Sequence, residues 1–355
     1  MTTDQQQREL STLPKAELHL HLEGAMRRTT LVELCNKYEI PIPIDTAGRR
    51  FDDFSAFVDV YIAACECIRE VSDIKRLFQE VAEDVKLSGA VWIEIAPSFS
   101  FYSHRFGGHF ECLRLLAEAA EEAERSTGVG IGIVVSVERH LGVEEAEKLA
   151  HIAKRGAESL KICGRPAILG LGLHGPEEGN SPSQFKDAFD IACCSKSTMV
   201  SLPHAGEIAP YPGGGAKSAI DAVQILKAKR IAHGVLAFDN EDALQILVDS
   251  NICLDVCVSS NYLLNVVPTV ESHPLVQLLE RGIPCTINSD DPLLFGCSLL
   301  FEYEICRNDL NMDDHMLARC AKHSFEYSCA PEEIKTKNIA DIDRWLSLSV
   351  EASSP

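Results

Sequence analysis

The sequence predicts an α/β fold, a (β/α)8 TIM barrel with extra helices between its first two strands. Three observations predict it. Short apolar runs alternate with helix-like segments, the pattern of parallel βαβ units. Eight such runs occur within 355 residues, a length normal for one α/β barrel. Polar, site-like motifs stand at the ends of four of the runs, where barrel active sites are built.

The runs are 17–21 (ELHLH), 91–95 (VWIEI), 129–136 (VGIGIVVS), 167–173 (AILGLGL), 199–203 (MVSLP), 229–233 (KRIAH), 252–258 (ICLDVCV) and 284–288 (PCTIN). Between them lie segments whose apolar residues recur every three to four positions, such as 111–126 and 241–249. A doubly wound open sheet is the other arrangement this alternation allows. No low-complexity linker divides the chain, so one domain is expected over 13–346, flanked by a polar N-terminal tail (1–12) and a C-terminal tail (347–355). The stretch 26–90 is too long for one crossover helix and is expected to fold as extra helices over a barrel mouth. Within it Phe51, Phe54 and Phe57 share a three-residue spacing that suits one helical face. That face packs either on the core or, as a lid, on a ligand.

Apolar residues make up 46% of the chain, ample for a large core, and 24% are charged, which argues against disorder. No run approaches the ~20 apolar residues a membrane helix needs. The polar start, with Asp4, Arg8 and Glu9, lacks a signal peptide's apolar segment. A soluble cytoplasmic protein is expected. Lys and Arg total 33 against 53 Asp and Glu, a formal charge of −20, so nucleic acid and anionic membrane surfaces are not expected partners. The 14 cysteines include no Cys-x-x-Cys pair; the closest spacings are Cys65/Cys67 and Cys193/Cys194. They are expected to be reduced, mostly buried thiols.

Four motifs carry chemistry. His19-Leu20-His21 ends the first run; on a strand, residues two apart project to one side, so two imidazoles can share a divalent metal. Alone, a His-x-His pair is more often structural than ligating. Pro203-His204-Ala205-Gly206-Glu207 ends run five, Ala232-His233-Gly234 ends run six, and Asn288-Ser289-Asp290-Asp291-Pro292 ends run eight. Adjacent carboxylates repel, so Asp290-Asp291 calls for a cation or a shared proton, unless one of them serves as a helix N-cap. Three His and one Asp converging at strand ends make a nitrogen and oxygen set suited to zinc, with a position left for water. Glu207, His233 and Asp291 then supply acid, base and orienting groups. His174, next to Gly175 at the end of run four, is intermediate. His104, His109, His140, His151, His273, His315 and His323 are expected to be ordinary.

These motifs, together with Leu13-Pro14-Lys15-Ala16-Glu17-Leu18-His19-Leu20-His21-Leu22-Glu23-Gly24 and Arg230-Ile231-Ala232-His233-Gly234, resemble the adenosine deaminase family of the amidohydrolase superfamily. The resemblance runs from about Leu13 to Trp345, with the motifs in the family's order. It implies one Zn2+ per chain held by His19, His21, His204 and Asp290, and a small-molecule purine substrate. It implies His233 facing the attacking water as base and electrostatic partner, and Glu207 protonating purine N1. Asp291, carrying a proton, would bond N7, and the Gly175 N–H would bond N3. Zinc lowers the pKa of bound water from about 15.7 to roughly 7, so hydrolysis of the 6-amino group becomes feasible at neutral pH. Adenosine, and with it 2′-deoxyadenosine, is the expected substrate; adenine and modified 6-aminopurine nucleosides are the alternatives.

One departure bears on that choice. Animal-type members carry Asp where this chain has Glu23, and that carboxylate reaches the ribose. Glu23 and the 26–90 helices are expected to meet whatever hangs from N9, and Glu23 to disfavour AMP by repelling a 5′-phosphate. A cytidine-deaminase-type zinc site needs His-x-Glu with Pro-Cys-x-x-Cys. His21-Leu22-Glu23 supplies the first half, but Pro284-Cys285 is followed by Asn288 rather than a second Cys, which removes that reading. A non-catalytic, zinc-stabilised binding protein is the alternative from another class, and the Glu207, His233 and Asp291 set argues against it.

Overall fold

The computed structural model describes residues 8–52, 54–208 and 213–348, with the side chains of Phe54 and Ser55 outside the description. Eight strands run β1 (Lys15–His21), β2 (Ala90–Ala96), β3 (Gly130–Glu138), β4 (Ile168–His174), β5 (Val200–Ala205), β6 (Arg230–His233), β7 (Cys253–Val256) and β8 (Cys285–Ile287). They hydrogen-bond in chain order, each pair parallel. Asp290, just beyond β8, bridges to Leu20: its N–H donates to His19 O (3.2 Å) and its carbonyl accepts from His21 N (3.0 Å), bringing the last strand back to the first. The predicted barrel is therefore the fold. All eight runs become strands, with one overreach: run seven stops at Val256, and Val258 already starts a helix. A small hairpin, Lys161–Ile162 with Arg165–Pro166, had no sequence signal.

Helices cover the strands because each buries one stripe. In α3 (Val71–Leu87) Ile74, Leu77, Phe78, Val81 and Val85 are buried at helical spacing, and Glu70 with Asp73 forms a capping box. The 26–90 stretch holds α1 (Arg28–Tyr38), α2 (Phe54–Glu66) and α3, as expected of extra helices. Phe51 lies before α2, so it does not share a helical face with Phe57; its ring meets Phe57 at 5.6 Å instead. Phe57 in turn stacks on Phe295 at 5.6 Å. The expected polar tail is part of the domain from Arg8 onward. Arg8 bonds Asp314 and the carbonyls of Trp345 and Leu346, while Leu10 is buried. Most of the cysteines are buried and all are free, Cys163 being exposed. Among the described residues no helix is long and apolar enough to cross a membrane.

A polar column rises through the barrel. Arg230 of β6 reaches Glu94 of β2 (2.6 Å) and Asp255 of β7 (2.8 Å), all three buried. Thr286 Oγ1 donates to Asp255 (2.7 Å), and Asn288 Nδ2 donates to Thr286 Oγ1 (2.8 Å). Asn288 Oδ1 accepts from the N–H groups of Leu18 (2.7 Å) and His19 (3.2 Å). Removing one partner of a buried ion pair strands the others. Arg230→Met should therefore lower unfolding free energy by about 3–5 kcal/mol, measured by urea titration; a loss below about 1 kcal/mol would show that Glu94 and Asp255 do not need the cation.

Candidate active site

The strand ends converge on one cavity. His19 and His21 lie on the same side of β1, His204 ends β5, and Asp290 follows β8. One ligand atom from each lies within 4.8 Å of all the others, and all four residues are buried. Asp290 Oδ1 is 3.2 Å from Nε2 of both His19 and His21. His19 Nε2 has no hydrogen-bond partner, while its Nδ1 lies 3.2 Å from the Asp255 carbonyl, so Nδ1 donates and Nε2 keeps its lone pair. Buried imidazole lone pairs aimed at one carboxylate are costly unless a cation sits among them, and three nitrogens with one oxygen suit a divalent transition metal.

Glu207 and Asp291 face the same cavity. Burial, with the charges of Asp290 and Glu177, pushes the Glu207 carboxyl up to about 8. Burial and the neighbouring Asp290 charge raise Asp291 well above the usual carboxyl range. Asp291 fits only because residue 24 is glycine: a Cβ there would stand 1.6 Å from Asp291 Oδ1. Two non-glycine site residues adopt positive φ, His233 at 63° and Asp290 at 61°, a conformation retained at functional turns where packing enforces it. Gly175 (φ 88°) also lines the cavity.

The structure brings together eight of the nine residues expected at the site. Glu23 is the exception. It is fully buried, its Oε1 accepts from Tyr102 (2.6 Å), and its Oε2 accepts from Tyr61 (2.9 Å) and the Ser98 N–H (3.0 Å). Both oxygens are thus engaged, two of their three donors being the cavity-lining residues Tyr61 and Ser98, and Glu23 itself does not line the cavity. Tyr61, Ser98 and Glu138 stand at the cavity wall instead.

Two groups, Glu177 and His273, escaped the sequence reading, and His174 was left intermediate by it. Glu177 accepts from the N–H groups of Gly206 (3.1 Å), Glu207 (2.9 Å) and Ile208 (3.0 Å), and so holds the turn that carries Glu207. His174 touches His204 at 4.4 Å and His21 at 4.6 Å between ring centroids, with Nε2 held by Ser136 Oγ at 2.7 Å. His273, expected to be ordinary, anchors a relay to His233. The Leu275 N–H, which can only donate, points at His273 Nδ1 (3.1 Å), so the neutral ring carries its proton on Nε2. That N–H donates to Asn261 Oδ1 (3.0 Å), which turns the Asn261 amide N–H toward His233 Nδ1 (3.2 Å). Burial pushes the His233 imidazole down to about 3, so it is neutral, with its proton on Nε2. That nitrogen lies 3.5 Å from Glu207 Oε1 and 3.8 Å from Asp290 Oδ2. In this tautomer His233 presents its Nε2–H to the cavity.

A barrel with this mouth has the build of a metal-dependent hydrolase. A family model described as adenosine deaminase matches residues 14–345, and the chain belongs to that family. A putative adenosine/adenine deaminase of Streptomyces coelicolor is 37% identical over 351 residues, covering 96% of this chain and 98% of the relative. An adenine deaminase of Pseudomonas putida is 32% identical over 324 residues, 89% of this chain and 98% of that one. The crystal structure of an adenine deaminase from Arthrobacter aurescens superposes with a TM-score of 0.82 at 26% identity, covering 94% of this chain and 99% of the other. The protein is accordingly a hydrolytic deaminase acting on aminopurines.

The relay makes its own prediction. Asn261→Leu frees His233 Nδ1 and is expected to lower kcat by ~10–100-fold, with KM and bound metal little changed. Wild-type kcat in that variant would remove the relay from the chemistry.

Proposed function

We propose that the protein is a zinc-dependent deaminase that releases ammonia from C6 of adenosine and 2′-deoxyadenosine. The observation that carries the reading is the convergence of His19, His21, His204 and Asp290 on one point beside Glu207, His233 and Asp291. Zinc in this donor set would supply a water ionised near neutral pH and poised to attack C6.

The chain's own residues do the rest. Glu207, protonated because it is buried, donates to N1 as the new C6–O bond forms, so the ring nitrogen need not carry negative charge. Asp291, also protonated, can donate to N7, which as an acceptor would repel a carboxylate. The Gly175 N–H is the donor for N3. His233 presents its Nε2–H to the attacking oxygen and orients it, which replaces the role of base. Glu207, left as a carboxylate by its transfer to N1, takes the proton of the C6 hydroxyl and returns it to the amino nitrogen, so the C–N bond breaks with release of ammonia and a 6-oxopurine bearing N1–H remains.

Free adenine is the second reading. The engagement of both Glu23 oxygens by protein donors favours it, as do relatives named for adenine. Ammonia release from adenine, adenosine, 2′-deoxyadenosine and AMP, with elemental analysis of protein purified without added metal, separates the two. Adenosine is expected to lead and AMP to trail, with one zinc per chain; a lead for adenine would shift the assignment to the base, and full activity without a transition metal would overturn the site.

Glu207→Gln keeps the shape and the metal ligands but loses the proton for N1. A fall in kcat of ~10²–10⁴-fold with metal retained is expected. Because the protonated acid is the active form, kcat/KM should decline as pH rises through the Glu207 pKa. That pKa is pushed up to about 8 by burial and brought lower by a bound cation. A rate still rising past pH 9 would place the acid elsewhere.

A further inference from the structure

We infer that Glu138 is the specificity-determining carboxylate of this site, accepting a hydrogen bond from a donor on the N9 side of the purine. The inference rests on the ring orientation just proposed. Residues two apart on β3 face the same way, and Val134, Ser136 and Glu138 climb one face of it. Val134 packs with Ala96 of β2 and Leu202 of β5, and Ser136 holds His174, so Glu138 arrives at the cavity as the last residue of the strand.

Its carboxyl is aimed. Ser98 Oγ donates to Oε1 (3.0 Å), and Ser98 is itself tied to Tyr61 (3.1 Å) and, through its N–H, to Glu23 (3.0 Å). Glu23 therefore acts as a positioning residue that anchors the Tyr61–Ser98 pair, while Glu138 meets the cavity. No donor among the described residues reaches Glu138 Oε2, which points past Gly175: a Cβ on Gly175 would stand 3.8 Å from it. With the ring's C6, N1 and N7 held by the metal quartet, Glu207 and Asp291, the Gly175 wall faces N3, and N9 is joined to N3 through C4. A carboxylate oxygen of a cavity-lining residue that no described donor reaches selects a ligand that brings one, either the N9–H of a free base or a hydroxyl of a neutral sugar.

The same wall disfavours a phosphate. Among the described residues no Lys or Arg lines the cavity, and His140, stacked at 6.1 Å on Phe101, has its pKa lowered by burial. Burial, against the Ser98 hydrogen bond, pushes the Glu138 carboxyl up to about 7, and above that pH a 5′-phosphate would meet its charge without a compensating cation.

The test measures kcat/KM for adenine, adenosine, 9-methyladenine and AMP in the wild type, Glu138→Gln and Glu138→Leu, with metal content recorded for each. 9-Methyladenine carries neither an N9–H nor a hydroxyl. The better of adenine and adenosine should exceed it by ~10²-fold or more in the wild type, up to ~10⁴-fold for a fully buried pairing. Glu138→Gln, still an acceptor, should keep most of that ratio, and Glu138→Leu should collapse it to within about tenfold while AMP gains on adenosine. General damage lowers all four rates together and leaves the ratio unmoved. An unchanged ratio in the metal-replete Leu variant overturns the assignment. If that variant fails to fold, Ser98→Ala, which releases Oε1, should lower the ratio, and a wild-type ratio there overturns it too. No ammonia from any of the four purines in the wild type would sink the purine reading itself, and this inference with it.

Discussion

Asp290 does two jobs that cannot be separated. Its backbone joins the end of β8 to β1 through hydrogen bonds with His19 and His21, and its side chain lies 3.2 Å from the ring nitrogens of those same residues. The residue that closes the barrel is thus the one that completes the candidate metal quartet. The positive φ of Asp290 is tolerated because two strands and a carboxylate–imidazole cluster hold it from both sides. A cation on this quartet would therefore stabilise the barrel seam as well as the site.

Support for the quartet comes from below. The column from Arg230 through Asp255, Thr286 and Asn288 ends on the backbone of His19, and the Asp255 carbonyl also receives His19 Nδ1. Each donor in the column meets an acceptor, so little rotational freedom reaches the ring. A buried polar network whose members are all satisfied rigidifies what it touches, and here it touches an imidazole of the candidate metal cluster.

The site separates its titratable groups by environment. Burial, with the charge of Asp290 beside both, pushes the Glu207 and Asp291 carboxyls up, which favours the protonated forms that the proposed contacts to ring nitrogens require. The Leu275 N–H, acting through His273 and Asn261, sets the tautomer of His233 across three residues. Acid, neutral donor and ligand are thus distinguished by neighbours rather than by residue type.

Much of this was legible in the chain. Periodicity located all eight strands, because side chains buried on both faces of a parallel sheet leave continuous apolar runs between amphipathic helices. The motifs at the strand ends named the His19, His21, His204 and Asp290 cluster with Glu207, His233 and Asp291 beside it, since a barrel delivers its strand ends to one mouth whatever the loops do. Tertiary structure decided the rest. Glu23 stands two residues from His21, yet Tyr61, Tyr102 and Ser98, from segments far along the chain, engage both of its oxygens, and it does not line the cavity. His273 looked ordinary because its partners Asn261 and His233 lie 12 and 40 residues away and meet it only through packing. Glu138 had a faint signal in the alternation of β3, but whether its free oxygen faced ligand or protein depended on Ser98, which belongs to another strand's loop. Local pattern determines where a side chain sits along a strand; which donors reach it is settled by segments that only the closed barrel brings together.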